Sequence, residues 1–100
     1  MNGRIYTIPE ISKAVVPVAR AYGVNQLALF GSYARGNATP KSDIDLHIID
    51  GGALKGLFKL AGFQRELQEN LDVPVDLLTS DALSEDFLTR IRAEEVVLYG

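Results

Sequence analysis

Apolar residues recur at two different periods along this chain, and the changes of period mark out its elements. Ile8, Ile11, Val15, Val18, Ala19 and Tyr22 fall at helical spacing on one face, which predicts a helix from about Ile8 to Tyr22. Thr7 and Glu10 have the spacing of a capping box, Pro9 suits a first turn, and Gly23 is a natural stop. Pro17 should kink or shorten this helix. Gln26 to Phe30 reads as a buried strand ending at Gly31; Ser32 to Arg35 starts a short helix, and Asn37 to Ser42, with Thr39 and Pro40, is a loop. From Asp43 to Asp50 the period becomes two. Ile44, Leu46 and Ile48 take one side of that strand, and Asp43, Asp45 and His47 take the other.

Gly51-Gly52 breaks the strand, and a long helix is predicted from about Ala53 to Leu71, with Leu57, Leu60, Leu67 and Leu71 as its core stripe. Val73 to Leu78 is a third strand, in which Asp76 is a charge embedded among Val75, Leu77 and Leu78. Ser84 can cap a last helix whose first turn holds Glu85 and Asp86, acidic side chains that suit the helix dipole. The apolar tail Glu95 to Tyr99 is predicted to pack back as a strand. This order gives an α/β fold: a small mixed sheet of three to four strands flanked by helices. Consecutive strands tend to be neighbours, so Asp76 is expected beside Asp43 and Asp45.

Composition narrows the class. One hundred residues, 47% of them hydrophobic, make one domain over residues 1–100 with room for a real core but not for two lobes. No apolar run approaches a membrane span, and the N-terminal MNGRIYTIPE has no apolar signal core, so the expected location is cytoplasmic. The absence of cysteine excludes disulfides and thiolate zinc sites, and one histidine makes a histidine-rich metal site a poor fit. Net charge is −3 and the ten basic residues are scattered, which argues against a broad nucleic-acid-binding face. A nucleotide bound through a metal ion is still compatible, because the metal brings the positive charge.

The candidate chemistry lies in GSYARGNATPKSDIDLHI, Gly31 to Ile48. Asp43 and Asp45 project from one sheet face and repel each other; a divalent cation removes that repulsion. The bland alternative has Asp43 capping a loop, Asp45 facing water and Asp76 pairing with an arginine such as Arg65. Gly31 lets the backbone approach a ligand closely, and the N–H groups after it, with the Ser32 hydroxyl, can bind phosphate oxygens; an ordinary turn capped by Ser32 is the plain alternative. Arg35 could reach the same phosphates or form a surface ion pair. His47 shares a face with the aspartates and could touch a nucleotide or acceptor, but it reads more readily as a partly exposed, hydrogen-bonded bystander, and Lys41 as a solvated loop charge. Gly51, Gly52 and Gly56 lack the Gly-Lys-Ser/Thr ending of a P-loop and read as a turn.

Taken together, Gly-Ser-x-x-Arg-Gly followed by Ser-Asp-x-Asp-Leu resembles the signature of the DNA polymerase β-type nucleotidyltransferase superfamily. The short length and the Ala-Arg-Gly after the serine most resemble its minimal nucleotidyltransferases, the MNT proteins. The likeness extends through the intervening helix, the Val-Asp-Leu strand with Asp76 and the C-terminal helix. It implies that Gly31 and Ser32 hold a triphosphate and that Arg35 supports the loop or its phosphates. It implies further that Asp43, Asp45 and Asp76 ligate two Mg²⁺ ions, and that a nucleotide such as ATP is the donor for attack by a hydroxyl on its α-phosphate.

This family's usual partner is a HEPN-domain toxin, a ribonuclease. The resemblance therefore implies an antitoxin that transfers AMP to a tyrosine of the toxin within a hetero-oligomer, without direct nucleic-acid or membrane contact. Two alternatives are a catalytically silent module that masks the partner by contact and a nucleotidyltransferase acting on a small molecule.

Overall fold

In the computed structural model, residues 4–80 and 83–100 are described; residues 1–3 of the N-terminal stretch considered above lie outside this set, as do residues 81–82. The elements are α1 (Ile8–Tyr22), β1 (Gln26–Phe30), α2 (Gly31–Arg35), β2 (Ile44–Ile49), α3 (Leu57–Leu71), β3 (Val75–Thr79), α4 (Glu85–Glu94) and β4 (Val96–Tyr99). One four-stranded sheet has the order β3-β2-β1-β4. β1 runs antiparallel to both β2 and β4, whereas β2 and β3 are parallel. A parallel pair needs a crossover, and α3 supplies it.

Register assigns the two faces of the sheet. Leu29, Leu46 and Leu77 pair across three strands and form a row on the face toward the core. The next residues along, Phe30, Asp45 and Asp76, form the corresponding row on the opposite face. Ile11, Val15 and Ala19 of α1 and Phe63, Leu67 and Leu71 of α3 are buried with Leu27, Leu29, Ile44, Leu46 and Ile48 of the sheet. The Tyr22 and Phe63 rings meet edge to face with centroids 5.1 Å apart, which locks the two helices together.

Local signals account for most boundaries. Thr7 and Glu10 form the reciprocal capping box, with Glu10 N–H donating to Thr7 Oγ1 at 3.2 Å and Thr7 N–H to Glu10 Oε1 at 2.8 Å. Gly23 ends α1 in the left-handed region at φ 76°. Ser84 caps α4 by accepting from the Phe87 N–H. The tail forms β4 as expected.

Three expectations need correction. Pro17 does not shorten α1: it lies on the exposed side, where the Lys13 carbonyl that loses its donor can turn to water. α3 begins at Leu57 rather than Ala53, because the Asp50 carboxylate accepts from the Gly52 and Leu54 N–H groups and holds those residues in turns. Gly56 then turns the chain at φ 92°. Leu57 is consequently 80% exposed, and the core stripe of α3 runs Leu60, Phe63, Leu67, Leu71. Finally, β3 spans Val75–Thr79, and Asp76 within it is exposed rather than embedded.

Phe63 belongs to the core cluster, meets the Tyr22 ring and is fully buried. Phe63→Ala should therefore destabilise the protein by about 3–5 kcal/mol, read as the loss in urea unfolding free energy at unchanged m-value.

Candidate functional site

The site is built where β1 ends and its neighbour β2 begins. Gly31 sits directly after Phe30 with φ 76°, a conformation that side chains resist, and it is buried. A Cβ added there would lie 2.2 Å from Asp45 Oδ2 and 3.1 Å from its Cγ. Glycine is thus required twice over, by its backbone angle and by the carboxylate pressed against it. From this turn α2 carries Ser32, half-buried, and Arg35, exposed, before Gly36 closes it at φ 79°.

Asp45 is half-buried, between Phe30 on β1 and Asp76 on β3. Burial raises its pKa first; the negative charges of Asp76 and Asp43 add to the shift, and a hydrogen bond with Asp76 favours the protonated form. Arg35 opposes these effects, and the outcome is a pKa raised from 3.8 to about 6. Asp43, Asp45 and Asp76 are therefore electrostatic neighbours, as the strand order predicts. The arginine named as a partner for Asp76 is engaged elsewhere: Arg65 pairs with Glu69 within α3 at 3.8 Å. Among the described residues no three such side chains are gathered into a ready-made metal cage. The fit to a cation lies in the crowding of like charge around Asp45 and in the all-oxygen donor set, which suits Mg²⁺.

Beside Asp45 opens a cleft of about 450 Å³. Phe30, Gly31, Arg35 and Asp45 line one wall, and Phe87, Arg90, Ile91 and Glu94 of α4 line the other. These four α4 residues recur at helical spacing and share a face. The sequence reading treats α4 only as a capped helix and misses this wall; the one available signal is that periodicity. Glu94 accepts from the Gly31 N–H at 3.2 Å and pairs with Arg35 Nη1 at 3.3 Å.

His47 also differs from expectation. It is buried rather than partly exposed, with only 2% of its surface accessible, although it is hydrogen-bonded as expected. Its Nδ1 donates to Glu95 Oε1 at 2.9 Å, and its Nε2 lies 2.8 Å from Ser80 Oγ. Ala28, directly opposite on β1, leaves space for the imidazole on this face. Lys41 is exposed, in keeping with a solvated loop charge.

Comparison with known proteins adds a family to this geometry. A family model described as a nucleotidyltransferase domain matches residues 11–99. A Methanocaldococcus jannaschii protein with the name "putative protein adenylyltransferase" is 36% identical over 89% of this chain and 95% of its own. Among solved structures, a toxin–antitoxin complex with AMP-PNP contains a chain similar at a TM-score of 0.78 and 22% identity, over 89% of this chain and 73% of that one. A complex of tri-AMPylated Shewanella oneidensis HEPN toxin with MNT antitoxin gives a TM-score of 0.70 at 20% identity, over 90% of this chain and 70% of that one. At such identities the two structures speak for the fold, whereas the family model and the M. jannaschii relative speak for descent. The turn at Gly31, the carboxylates beside it and the four-stranded mixed sheet all stand within the matched span, and on these grounds this chain belongs to the nucleotidyltransferase domain family.

Proposed function

We propose that this protein is a Mg²⁺-dependent adenylyltransferase serving as the antitoxin of a HEPN-domain toxin, and that it transfers AMP from ATP to a tyrosine hydroxyl of that partner. The observation that carries the reading is the juxtaposition of the Gly31 turn with Asp45, itself paired in register with Asp76. The M. jannaschii relative's name and the AMPylated HEPN complex support the acceptor class.

Asp43, Asp45 and Asp76 would hold Mg²⁺, whose charge offsets their mutual repulsion and polarises the phosphate oxygens of the donor. The Ser32 hydroxyl and the backbone N–H groups beyond Gly31 would bind the triphosphate tail. The tyrosine oxygen attacks the α-phosphorus, a new P–O bond forms, and the bond from that phosphorus to the β-bridging oxygen breaks to release pyrophosphate. Asp76, exposed on its strand, would accept the phenolic proton. The product is a phosphodiester, which adds negative charge and bulk to the partner.

Incubating the protein with its co-expressed HEPN partner, Mg²⁺ and α-labelled ATP should put label on a partner tyrosine. Asp43→Asn or Asp45→Asn should lower the rate by about 100-fold or more, the scale of removing one preorganised electrostatic group. Tight association without label, indifferent to both substitutions, would instead identify a module that masks its partner by contact.

Stability should vary with pH in a direction set by Asp45. An unfolded aspartate titrates near ~3.9, whereas folded Asp45 titrates at about 6, so between these values the native state binds more protons than the unfolded state. Stability of the metal-free protein should therefore fall as pH rises from about 4 to about 6 through this group, and the loss should be complete above that range. Asp45→Asn should remove this contribution and raise the metal-free melting temperature at pH 7.5 even as it slows transfer; thermal unfolding across pH checks it. A melting temperature lowered by the substitution would contradict the electrostatic account.

A further inference from the structure

We propose that Glu94 is a positioning residue: its carboxylate holds the Gly31 turn and Arg35 in the geometry that receives the nucleotide's phosphates. The inference rests on the transferase reading above and extends it to a helix which that reading leaves without a role. Glu94 Oε1 accepts from the Gly31 N–H at 3.2 Å, and Arg35 Nη1 lies 3.4 Å from Oε1 and 3.3 Å from Oε2. One carboxylate therefore bridges the first and the last residue of α2 to the end of α4. The turn it holds lies so close to Asp45 that a Cβ at residue 31 would collide with that carboxylate, so a shift of the turn moves the phosphate donors relative to the strand that carries Asp45.

A rival account makes Glu94 a displaceable plug, an internal anion lodged where phosphates belong. The backbone around Glu94 favours the positioning role. Glu94 is the last helical residue, and Glu95 follows in extended conformation at φ −67° and ψ 150°, so the two side chains diverge. Glu95 bonds the buried His47 on β2, two residues beyond Asp45. Val96 then enters β4, paired to β1. The corner bearing Glu94 is thus fastened to both central strands, and it holds the turn as part of that framework rather than as a mobile flap. On this arrangement the Gly31 N–H and the Arg35 guanidinium act through Glu94, and direct phosphate contact falls to Ser32 and the N–H groups after it.

Amide hydrogen exchange on the free protein tests the contact without any nucleotide. In Glu94→Ala the Gly31 amide should exchange about tenfold faster or more, the effect of losing one charge-assisted hydrogen bond, while amides of α1 and α3 keep wild-type protection. With Mg²⁺-ATP, Glu94→Ala should raise the nucleotide KM by about 10–100-fold, the range seen when a supporting partner of a site ligand is removed, with a smaller change in kcat. Glu94→Gln, which keeps a neutral acceptor for both donors, should restore most of the affinity.

Unchanged Gly31 exchange in Glu94→Ala would overturn the proposal. So would a lower KM in that variant, which would identify a plug. If wild-type protein neither binds nor turns over ATP, the transferase reading fails, and the role proposed for Glu94 in receiving a nucleotide fails with it, whereas the exchange data still report whether Glu94 holds the turn.

Discussion

The contact of the Gly31 turn with the Asp45 carboxylate is the constraint on which the site depends. It is possible only because residue 31 has no Cβ and tolerates a positive φ. Any side chain there would strain the turn and drive it from β2, separating the groups that would meet a phosphate from those that would meet a metal. The rest of the architecture serves to keep that contact. β1 and β2 pair from Gln26–Ile49 to Phe30–Asp45, ending at the residues where the turn begins. The packed core beneath, with Leu29 and Leu46 fully buried, leaves the two strands little freedom to slide.

Period and punctuation made most of the fold legible. The two-residue alternation from Asp43 placed Ile44, Leu46 and Ile48 toward the helices, and it did so because one face of the strand is core. Capping chemistry located both ends of α1 and the start of α4, since Thr7, Glu10, Gly23 and Ser84 each satisfy a local backbone group. The start of α3 was not legible. Residues 53–56 have apolar content compatible with a helix, and what decides the matter is a side chain before them, Asp50, taking two backbone N–H groups. Leu57 was misplaced for the same reason, because a helix beginning later projects its first turn past the core.

The site was legible in its residue types and only partly in its environments. Asp76 stood out in the sequence as a charge among apolar neighbours, yet it is exposed, and its significance comes from standing opposite Asp45 on a parallel neighbour. Strand order decides that, and no single segment contains it. His47 was misread in the other direction: alternation placed it beside the aspartates, but its burial comes from Glu95 and Ser80, which are 48 and 33 residues away in the chain. Glu94, Arg90 and Phe87 could not be separated from an ordinary exposed helix face, because their relation to the cleft is entirely tertiary.

Electrostatics connects these long-range contacts to chemistry. Asp45 is crowded by Asp43 and Asp76 and partly buried, so its ionised form is disfavoured in the free protein. Arg35 is the cation that eases this crowding, and a guanidinium free to turn fully onto Asp45 would neutralise the site. Its ion pair with Glu94 divides its charge between two carboxylates. The cleft consequently retains an unmet demand for positive charge, and under the proposed function a divalent ion carried in with a nucleotide's phosphates would satisfy it and relieve a repulsion already built into the fold. The same arrangement keeps the Gly31 turn in place while the carboxylates stay charged. A stable core on one face of the sheet can thus carry a deliberately unfavourable cluster on the other, provided the strand register and the α4–β4 corner hold it fixed.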